Sequence, residues 1–318
     1  MTTLPTKPAH ELVERPEAQS WLIEGLWSAE AVGIIGGEPK CCKSILGLSL
    51  AVAVASGTPA LRRFSTLQVG RVLLFAAEDA LHIVRRRLEG IASAAGVALD
   101  ALDIQVITAP TLRLDVAADR DRLTATVEVL RPTLLLLDPF MRLHRIDENV
   151  SCEVAPLLAY LRELQRNFAV SVMLVHHAKK GASKARAGQA LRGSSEFHAW
   201  GDSNLYLRRT DDQLFLSVEH RAAASTTNLP VRLCGGDGED QPLSLTILSD
   251  AAPRPTAPTP AEKVLRALAE TASPLSHDAL RQACHMRTSV LCATLAELTG
   301  KRLVEKTSAG YRRASAGA

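Results

Sequence analysis

Residues 33–46 read GIIGGEPKCCKSIL, and this stretch indicates both the fold and the chemistry of the chain. It matches the phosphate-binding loop pattern G-x-x-x-x-G-K-[ST], with Gly37, Lys43 and Ser44 at the expected spacing, except that Cys42 replaces the second glycine. In such a loop the backbone N–H groups face the phosphates, the lysine reaches the β and γ oxygens, and the serine hydroxyl holds Mg²⁺. We therefore expect a site for ATP and Mg²⁺. The alternative is a purely structural turn.

The residues on either side of the loop fit this interpretation. Residues 31–37, AVGIIGG, form a short apolar run typical of a buried strand, and residues 44–57, SILGLSLAVAVASG, have a helical pattern. The helix N-terminus would point its partial positive charge at the bound anion. The predicted nucleotide-binding residues are Gly37, Glu38, Pro39, Lys40, Cys41, Cys42, Lys43, Ser44 and Ile45.

Composition limits the class of protein. The chain has 318 residues, 47% of them hydrophobic, which allows one large domain or two with a sizeable core. A net charge of +3 does not by itself indicate nucleic acid. The N-terminus is polar, and no apolar run reaches the roughly 18 residues that a membrane span needs. We expect a cytoplasmic protein with reduced thiols and no membrane partner.

Alternating strand and helix patterns fill residues 30–220 and predict an α/β fold. The continuous apolar strands, separated by helices, indicate a mostly parallel central sheet covered on both faces. In such sheets the active site lies beyond the carboxyl ends of the strands. The polar candidate residues described below follow the predicted strands at those ends.

The composition changes along the chain and predicts four parts. A polar arm (1–19) precedes a nucleotide-binding domain (20–249), and a Pro/Ala/Thr-rich linker (250–260) leads to a small C-terminal domain (261–318). The last part shows three short helices and a hairpin turning at Ser308-Ala309-Gly310, the pattern of a winged helix. Its nine Lys and Arg against five acids between 261 and 314 leave open whether it binds DNA or protein. Cys284, His285 and Cys292 have no standard zinc spacing, and we expect core or surface roles for them.

Two strand ends carry candidate carboxylates. Asp138 ends the run LLLLD and would hold Mg²⁺ together with Ser44; the alternative is an aspartate that starts a turn before Pro139. Glu78 follows the strand VLLFA and could act as the general base for the attacking water. Alternatively, Glu78 and Asp79 open the next helix, where acids favour the dipole, and Asp79 is the better candidate for a capping residue.

A third strand ends in His176-His177, followed by a basic stretch. A histidine at this point could hydrogen-bond the γ-phosphate and sense its loss, with His177 preferred; the alternative is a structural histidine. Residues 179–195 are rich in Gly, Ala and Ser and carry several Lys and Arg, which suits a single-stranded DNA backbone or an ordinary solvated loop.

Arginines follow the late strands of the predicted sheet. Arg208, Arg209 and Arg221 are candidates for a finger that reaches the γ-phosphate of a neighbouring subunit, and Arg221 is preferred. The alternative is that they are ordinary surface arginines.

The segments GEPKCCKS, FAAEDA, LLLLDPF, LVHHAKKG and ALRGSSEFHAWGD occur in that order. Over roughly residues 20–245 the chain resembles the RepA-type branch of the RecA-like ATPases, which includes hexameric replicative helicases. The resemblance implies a RecA-like P-loop NTPase domain in a homo-oligomeric ring, often of six subunits, with ATP between neighbours and single-stranded DNA in the channel. It assigns Lys43 and Ser44 to the phosphate loop, Glu78 to catalysis, Asp138 to the metal and His177 to the strand tip.

The chain departs from that pattern at three points: Cys42, the absence of an arginine in EFHAWGDSN after RGSS, and the additional C-terminal domain. Since glycine lets the loop close on phosphate, we expect Cys42 to weaken or adjust binding but not abolish it. The leading hypothesis is an ATPase that moves on or unwinds DNA. The rivals are a nucleotide-gated DNA-binding regulator and a non-hydrolysing scaffold of the same fold.

Overall fold

The computed structural model describes residues 4–12, 16, 19–177, 196–210, 212–235, 243–248, 260–269, 271, 273–284, 286, 288–300, 303–307 and 310–313. The chain divides into two compact units, Met1–Ser249 and Asp250–Ala318. The predicted DNA-binding loop (179–195), His285, most of the linker and the turn residues Ser308 and Ala309 lie outside the described residues.

Strands and helices alternate through most of the first unit. Its strands are β1 (Trp21–Ile23), β2 (Trp27–Ser28), β3 (Val32–Gly37), β4 (Val72–Ala76), β5 (Ile104–Val106), β6 (Leu134–Asp138), β7 (Ser171–His177), β8 (Ser203–Thr210), β9 (Gln213–His220), β10 (Thr226–Cys234) and β11 (Ser244–Ile247). Its α-helices are α1 (Lys43–Ser56), α2 (Leu81–Ala94), α3 (Ala117–Leu130), α4 (Ser151–Phe168) and α5 (Glu196–Trp200), and a 3₁₀ turn spans Phe140–Arg142.

One nine-stranded sheet, in the order β11-β10-β9-β8-β3-β7-β6-β4-β5, organises this unit. The strands from β8 to β5 in that order are parallel, and β9, β10 and β11 continue the sheet in antiparallel fashion. The mostly parallel α/β sheet predicted from the apolar runs is therefore confirmed. Parallel pairing also places the carboxyl ends of β3, β4, β6 and β7 along one edge.

The apolar strands are buried on both faces, as their continuous hydrophobic sequence predicts. Leu134 and Leu136 of β6 pack into one core cluster, with α1 and α2, whereas Leu135 and Leu137 pack into the other, with α3 and α4. All four leucines have no exposed surface. Because successive side chains of a strand alternate between faces, a strand covered by helices on both sides must be apolar throughout.

Several elements were not predicted from the sequence. The β1–β2 pair, β10, β11 and the short helix α5 have no strong periodicity, and Pro230 lies inside β10, where a proline normally argues against a strand. The antiparallel strands thus extend the sheet beyond residue 220, and they bring Leu233 and Leu243 to the site described below.

The second unit contains helices α6 (Pro260–Ala269), α7 (His277–Cys284) and α8 (Thr288–Gly300) and the hairpin β12 (Val304–Thr307)–β13 (Gly310–Arg313). It has its own small core, which includes Val264, Leu280, Leu291 and Val304. The assignment of this unit as a winged helix stays a prediction. No helix in the described part of the chain combines the length and apolarity needed to cross a membrane.

Candidate nucleotide-binding site

The loop between β3 and α1 starts at a glycine that the sheet requires. Gly37 has φ 156°, and a Cβ atom placed on it would lie 2.4 Å from the backbone oxygen of Leu207 in β8. Such a contact is far inside van der Waals distance, so only glycine lets β3 and β8 pair here. The first glycine of the loop pattern is therefore explained by packing as well as by phosphate approach.

Cys42, at the second glycine position, adopts a left-handed conformation. Its φ and ψ are 60° and 27°, and it immediately precedes α1 without a side-chain cap. This region costs a non-glycine residue about 1–2 kcal/mol. The half-buried thiol lies beside the guanidinium of Arg209, and burial raises the pKa of Cys42 although Arg209 acts in the opposite direction. At this position the loop therefore has a left-handed backbone conformation typical of glycine, although the residue is a cysteine.

Lys43 is the first residue of α1 and is almost completely buried. Its ammonium donates a hydrogen bond to the backbone carbonyl of Glu38 at 2.8 Å, so the side chain folds back over the loop. Burial lowers the pKa of Lys43, whereas Cys41, Asp138 and Glu78 act to raise it. A phosphate group would give this buried cation the counter-charge that its surroundings supply only in part.

Ser44 and Asp138 meet at the floor of the site. Asp138, at the carboxyl end of β6, is 8% exposed and accepts a hydrogen bond from the Ser44 hydroxyl. Burial raises the pKa of Asp138 to about 6, and the carboxylates of Asp79 and Glu78 add to this effect. A buried carboxylate next to a hydroxyl fits Mg²⁺, which prefers oxygen ligands.

No group of three His, Cys, Asp or Glu side chains within the described ranges could hold a metal ion. Mg²⁺ is usually bound by one or two protein oxygens together with substrate phosphates and water. Ser44 and Asp138 therefore fit an ion that arrives with a nucleotide. The assignment of Cys284, His285 and Cys292 to core or surface roles stays a prediction.

Glu78 lies just beyond β4, which pairs with β6 so that Ala76 is opposite Asp138. Its Oε1 accepts a hydrogen bond from Nε of Arg142 at 2.8 Å, and both side chains remain substantially exposed. Sequence reasoning missed Arg142, although it follows the LLLLD strand by only four residues. The contact depends on the pairing of β4 with β6, which the local sequence does not specify.

Asp79 does not cap α2, so that prediction is wrong. The N-cap residue is Ala80, which makes no side-chain cap, and Asp79 instead forms an ion pair with Arg87 in the second turn of the helix. The guanidinium of Arg87 competes successfully for the carboxylate. The pair lies at the rim of the nucleotide site, which both residues line.

The two histidines at the end of β7 have different environments. His177 pairs in register with Gly37 and lines the site, where burial and the charge of Lys43 lower its pKa. His176 is 1% exposed and stacks on Phe197 of α5, with ring centroids 4.4 Å apart. The structure thus brings His177, the preferred sensor, to the site and places His176 in the core.

These side chains surround a cavity of about 480 Å³ at the carboxyl edge of the parallel strands. Its volume lies in the usual range for small-molecule sites. The lining residues are Lys40, Cys41, Cys42, Lys43, Ser44, Ile45, Ala76, Glu78, Asp79, Arg87, Asp138, Val175, His177, Leu233 and Leu243. Of the predicted loop residues, Gly37, Glu38 and Pro39 contribute no lining atoms, and Glu38 instead binds the Lys43 ammonium through its carbonyl.

Arg209 and Arg221 lie at opposite ends of the strands of the sheet. Arg209 is near the carboxyl end of β8, parallel to β3, and reaches Cys42. Arg221 follows β9, which is antiparallel to β8, so it lies at the edge where the parallel strands begin. Its backbone N–H donates to the carbonyl of Asp202, and its guanidinium donates to the carbonyl of Ala199. Arg221 does not line the cavity of its own chain, and its role as a finger stays a prediction about a neighbouring subunit.

Residues 2–183, which include the phosphate loop, β4, β6 and β7, match the model of a protein family described as an AAA domain. The chain belongs to this family. The family match supports the predicted ATPase class, and the mostly parallel sheet that carries the phosphate loop confirms the predicted α/β fold of the first unit.

Two solved structures resemble this AAA domain protein. One is the ATPase domain of another protein, which is 13% identical and aligns with a TM-score of 0.50 over 64% of this chain and 81% of that one. The other, a KaiC-like protein from the archaeon Pyrococcus horikoshii OT3, is also 13% identical, with a TM-score of 0.48 over 74% of this chain and 100% of that one. At this level of identity the similarity to the ATPase domain is one of fold.

Proposed function

We propose that this AAA domain protein is a cytoplasmic, ring-forming motor that couples ATP hydrolysis to movement on, or unwinding of, DNA. The observation that carries the proposal is the convergence of Lys43, Ser44, Glu78, Asp138 and His177 on one cavity. They come from four different elements, and each has the side-chain chemistry that its role in phosphoryl transfer needs. The order of motifs resembling RepA-type ATPases supports the coupling to DNA.

Each residue has a defined task in the proposed reaction. Lys43 binds the β and γ oxygens and stabilises the charge that develops on them. Ser44 and Asp138 would hold Mg²⁺, which neutralises phosphate charge when bound. Glu78 accepts the proton of the attacking water. His177, whose lowered pKa keeps it neutral at pH 7, hydrogen-bonds the γ-phosphate and detects its departure.

The replacement Lys43→Ala tests hydrolysis. We expect ATP turnover to disappear, because the variant loses the buried ammonium that lines the cavity and would bind the phosphates. Lys7→Ala, at an exposed position before β1, is the matched control and should retain full turnover. Unchanged hydrolysis in Lys43→Ala would refute the assignment of the site.

Reversing the charge of Lys179 and Lys180 together tests the contact with DNA. If the loop 179–195 follows the phosphodiester backbone, binding of single-stranded DNA weakens and the slope of log K against log salt falls by about the number of lost contacts. Reversal of the exposed Lys7 and Arg85 gives the same change in net charge and should leave both quantities nearly unaltered. An unaltered slope in the loop variant would remove the loop from the proposal.

The ring is tested by mixing two inactive variants. A Lys43→Ala subunit lacks a working loop but still offers Arg221, and an Arg221→Ala subunit has a working loop but offers no finger. If Arg221 acts across an interface, the mixture hydrolyses ATP faster than either variant alone. The mass in solution with and without ATP shows whether six subunits assemble. No recovery on mixing, in assembled protein, would contradict a trans role for Arg221.

A second function is favoured by the separate C-terminal unit, with its three helices and hairpin and its surplus of basic residues. In this alternative the protein is a nucleotide-gated regulator in which the C-terminal unit binds duplex DNA and the ATPase domain changes oligomeric state. Strand-displacement assays separate the two functions. ATP hydrolysis without displacement, together with duplex binding that is lost on deletion of 261–318, would support the regulator.

A further inference from the structure

A buried carboxylate lies between two histidines beside the strand end that reaches the nucleotide cavity, and the proposed reaction does not use it. Oε1 of Glu148 is 3.3 Å from Nε2 of His144 and 3.9 Å from Nδ1 of His176. The side chains of Glu148, His144 and His176 are 14%, 3% and 1% exposed. Burying a carboxylate costs free energy unless polar or charged partners surround it, and the two imidazoles are partners of this kind. One carboxylate oxygen thus joins two segments of the chain.

The carboxyl end of β7 has a described strand neighbour on one side only. β7 pairs with β6 as far as Leu174, whereas its pairing with β3 continues to His177. Beyond that point the His176 ring stacks on Phe197, at 4.4 Å between centroids, and makes an edge contact with Phe140, at 6.1 Å. The His176 side chain therefore anchors a strand end whose backbone is paired on one side.

The carboxylate adds a restraint that the ring contacts do not supply. Stacking restrains the plane of the His176 ring, but it does not distinguish the two orientations that are related by a half turn about χ2. The Oε1 atom of Glu148 selects the orientation in which Nδ1 faces it. Because His176 and His177 are consecutive and point to opposite faces of the strand, a backbone rotation at His176 would also turn His177 in the cavity.

Glu148 also acts on His177 through its charge. Burial and the charges of Lys43 and His176 lower the pKa of His177, whereas the carboxylates of Glu78 and Glu148 act to raise it. Glu78 lines the cavity, but Glu148 does not. Glu148 can therefore influence His177 without occupying the space of the nucleotide.

We propose that Glu148 is a positioning residue, which bridges His144 and His176 and thereby keeps the imidazole of His177 directed toward the γ-phosphate. This inference rests on the proposed function, in which His177 hydrogen-bonds that group. Glu148 itself contacts neither the nucleotide nor the attacking water, and its effect passes through His176 to His177.

The first test is the kcat and KM for ATP in Glu148→Gln, a replacement of nearly the same shape without the charge. We expect kcat to fall about tenfold, because a small displacement of a group at the reacting phosphate is costly, and KM to stay within about twofold. Glu148→Asp retains the carboxylate and should recover part of kcat. Glu163→Gln makes the same replacement at an exposed position of α4 and should change neither constant. An unchanged kcat in Glu148→Gln would overturn the inference.

A double-mutant cycle shows whether the effect passes through His177. If it does, Glu148→Gln lowers kcat in the parent but not in His177→Ala, since the ring to be positioned is already absent there. Losses that multiply in the double variant would show that Glu148 supports the fold in some other way, and the inference would be wrong.

NMR titration of the His177 imidazole, without nucleotide, gives a readout that does not depend on hydrolysis. Because Glu148→Gln removes a carboxylate that favours the charged ring, the pKa of His177 should fall in that variant. It should keep the parent value in Glu163→Gln. The same titration curve in Glu148→Gln and the parent would refute the inference even if every other residue of the site proves essential.

The inference and the proposed function fail in different ways. If His177→Ala retains the parent kcat, the role of His177 in the proposed function is wrong, and the inference is overturned with it. If His177→Ala is impaired while Glu148→Gln has the kcat and the His177 titration of the parent, the proposed function stands and only the role of Glu148 is refuted.

Discussion

At the scale of single residues, the phosphate loop shows how a side chain can occupy a backbone position made for glycine. Cys42 has φ 60°, and Lys40 in the same loop has φ 65°. Two left-handed residues within three positions give the loop the curvature that it needs before α1. The surrounding fold therefore maintains the shape of the loop, and the left-handed backbone of Cys42 has a higher conformational energy than a glycine would have there.

Replacing Cys42 with glycine should stabilise the protein. Relief of about 1–2 kcal/mol of left-handed strain is partly offset by about 0.4–1 kcal/mol of extra chain entropy in the unfolded state. We expect a net gain of about 0.5–1 kcal/mol in the free energy of unfolding, with ATP affinity preserved or improved. Denaturant titration and nucleotide binding measure the two quantities.

Cys42→Ala is the control for that experiment, because it removes the thiol and keeps the Cβ atom. It should show no gain in stability. A loss of ATP binding in the glycine variant would mean that the thiol itself contributes to the site.

Asp138 makes stability depend on pH. Its folded pKa, about 6, lies above its unfolded value of 3.8, so the folded state binds the proton more tightly. The contribution of this group to stability is therefore fully present below pH 3.8 and is lost as the pH rises through about 6. Without Mg²⁺, Asp138→Asn should be more stable than the parent, by up to about 3 kcal/mol at about pH 8.

That gain should shrink as the pH falls from about 6 to about 4, which urea titrations at several pH values would measure. The loss of Mg²⁺-dependent ATP binding in the same variant would separate the two effects of the carboxylate. A stability difference that does not change with pH would contradict the raised pKa.

At the scale of elements, β7 and α5 join the nucleotide site to the core. One strand end presents His177 to the cavity and His176 to Phe197 on the other face, because neighbouring side chains of a strand point to opposite faces. β7 therefore contacts the cavity through one side chain and α5 through the next, so that a change at one site can affect the other.

Phe197→Leu should uncouple this link while retaining the fold. A hydrophobic replacement of similar volume usually costs less than about 1.5 kcal/mol, but it removes the ring that stacks on His176. If DNA stimulates ATP turnover, as the proposed coupling implies, we expect the stimulated rate to fall severalfold and the unstimulated rate to stay within about twofold. Phe168→Leu, at the end of α4, is the control. Equal loss of both rates in Phe197→Leu would indicate a general defect and not a coupling role.

The elements that could be predicted are those whose sequence carries its own signal. β6 and β7 are continuous apolar runs, and α1 follows a recognisable loop, so Asp138, His177 and Lys43 could be named from spacing alone. The contacts of Arg142 and similar side chains depend on which strands pair and on helix orientation, which no local pattern states. β10 was missed because its mixed polarity and Pro230 resemble a loop, although pairing with β9 and β11 makes it a strand.

At the scale of the whole molecule, the two units have separate cores. Among the described residues, the core cluster of Val264, Leu280, Leu291 and Val304 contains none from the first unit, and the two clusters of the first unit contain none from the second. We therefore expect the free energy of unfolding of each unit to depend little on the other unit.

Deletion of residues 250–318 should leave a folded ATPase domain. We expect its thermal unfolding to remain cooperative and its unstimulated ATP turnover to change less than about twofold, since all residues that line the nucleotide cavity belong to the first unit. Calorimetry and a turnover assay measure this. An aggregated or unfolded product would show that the first unit needs the second.

Because Cys42 carries a thiol, the phosphate loop can be alkylated or oxidised at a position where a glycine would not react. The thiol of Cys42 lines the nucleotide cavity, so an alkylating or oxidising reagent that modifies it would fill the space of the phosphates. Because burial raises its pKa, the thiolate becomes available mainly in alkaline solution. Bound ATP should protect it. Mass spectrometry of Cys42, with the exposed Cys152 as internal reference, would thus report occupancy of the site directly.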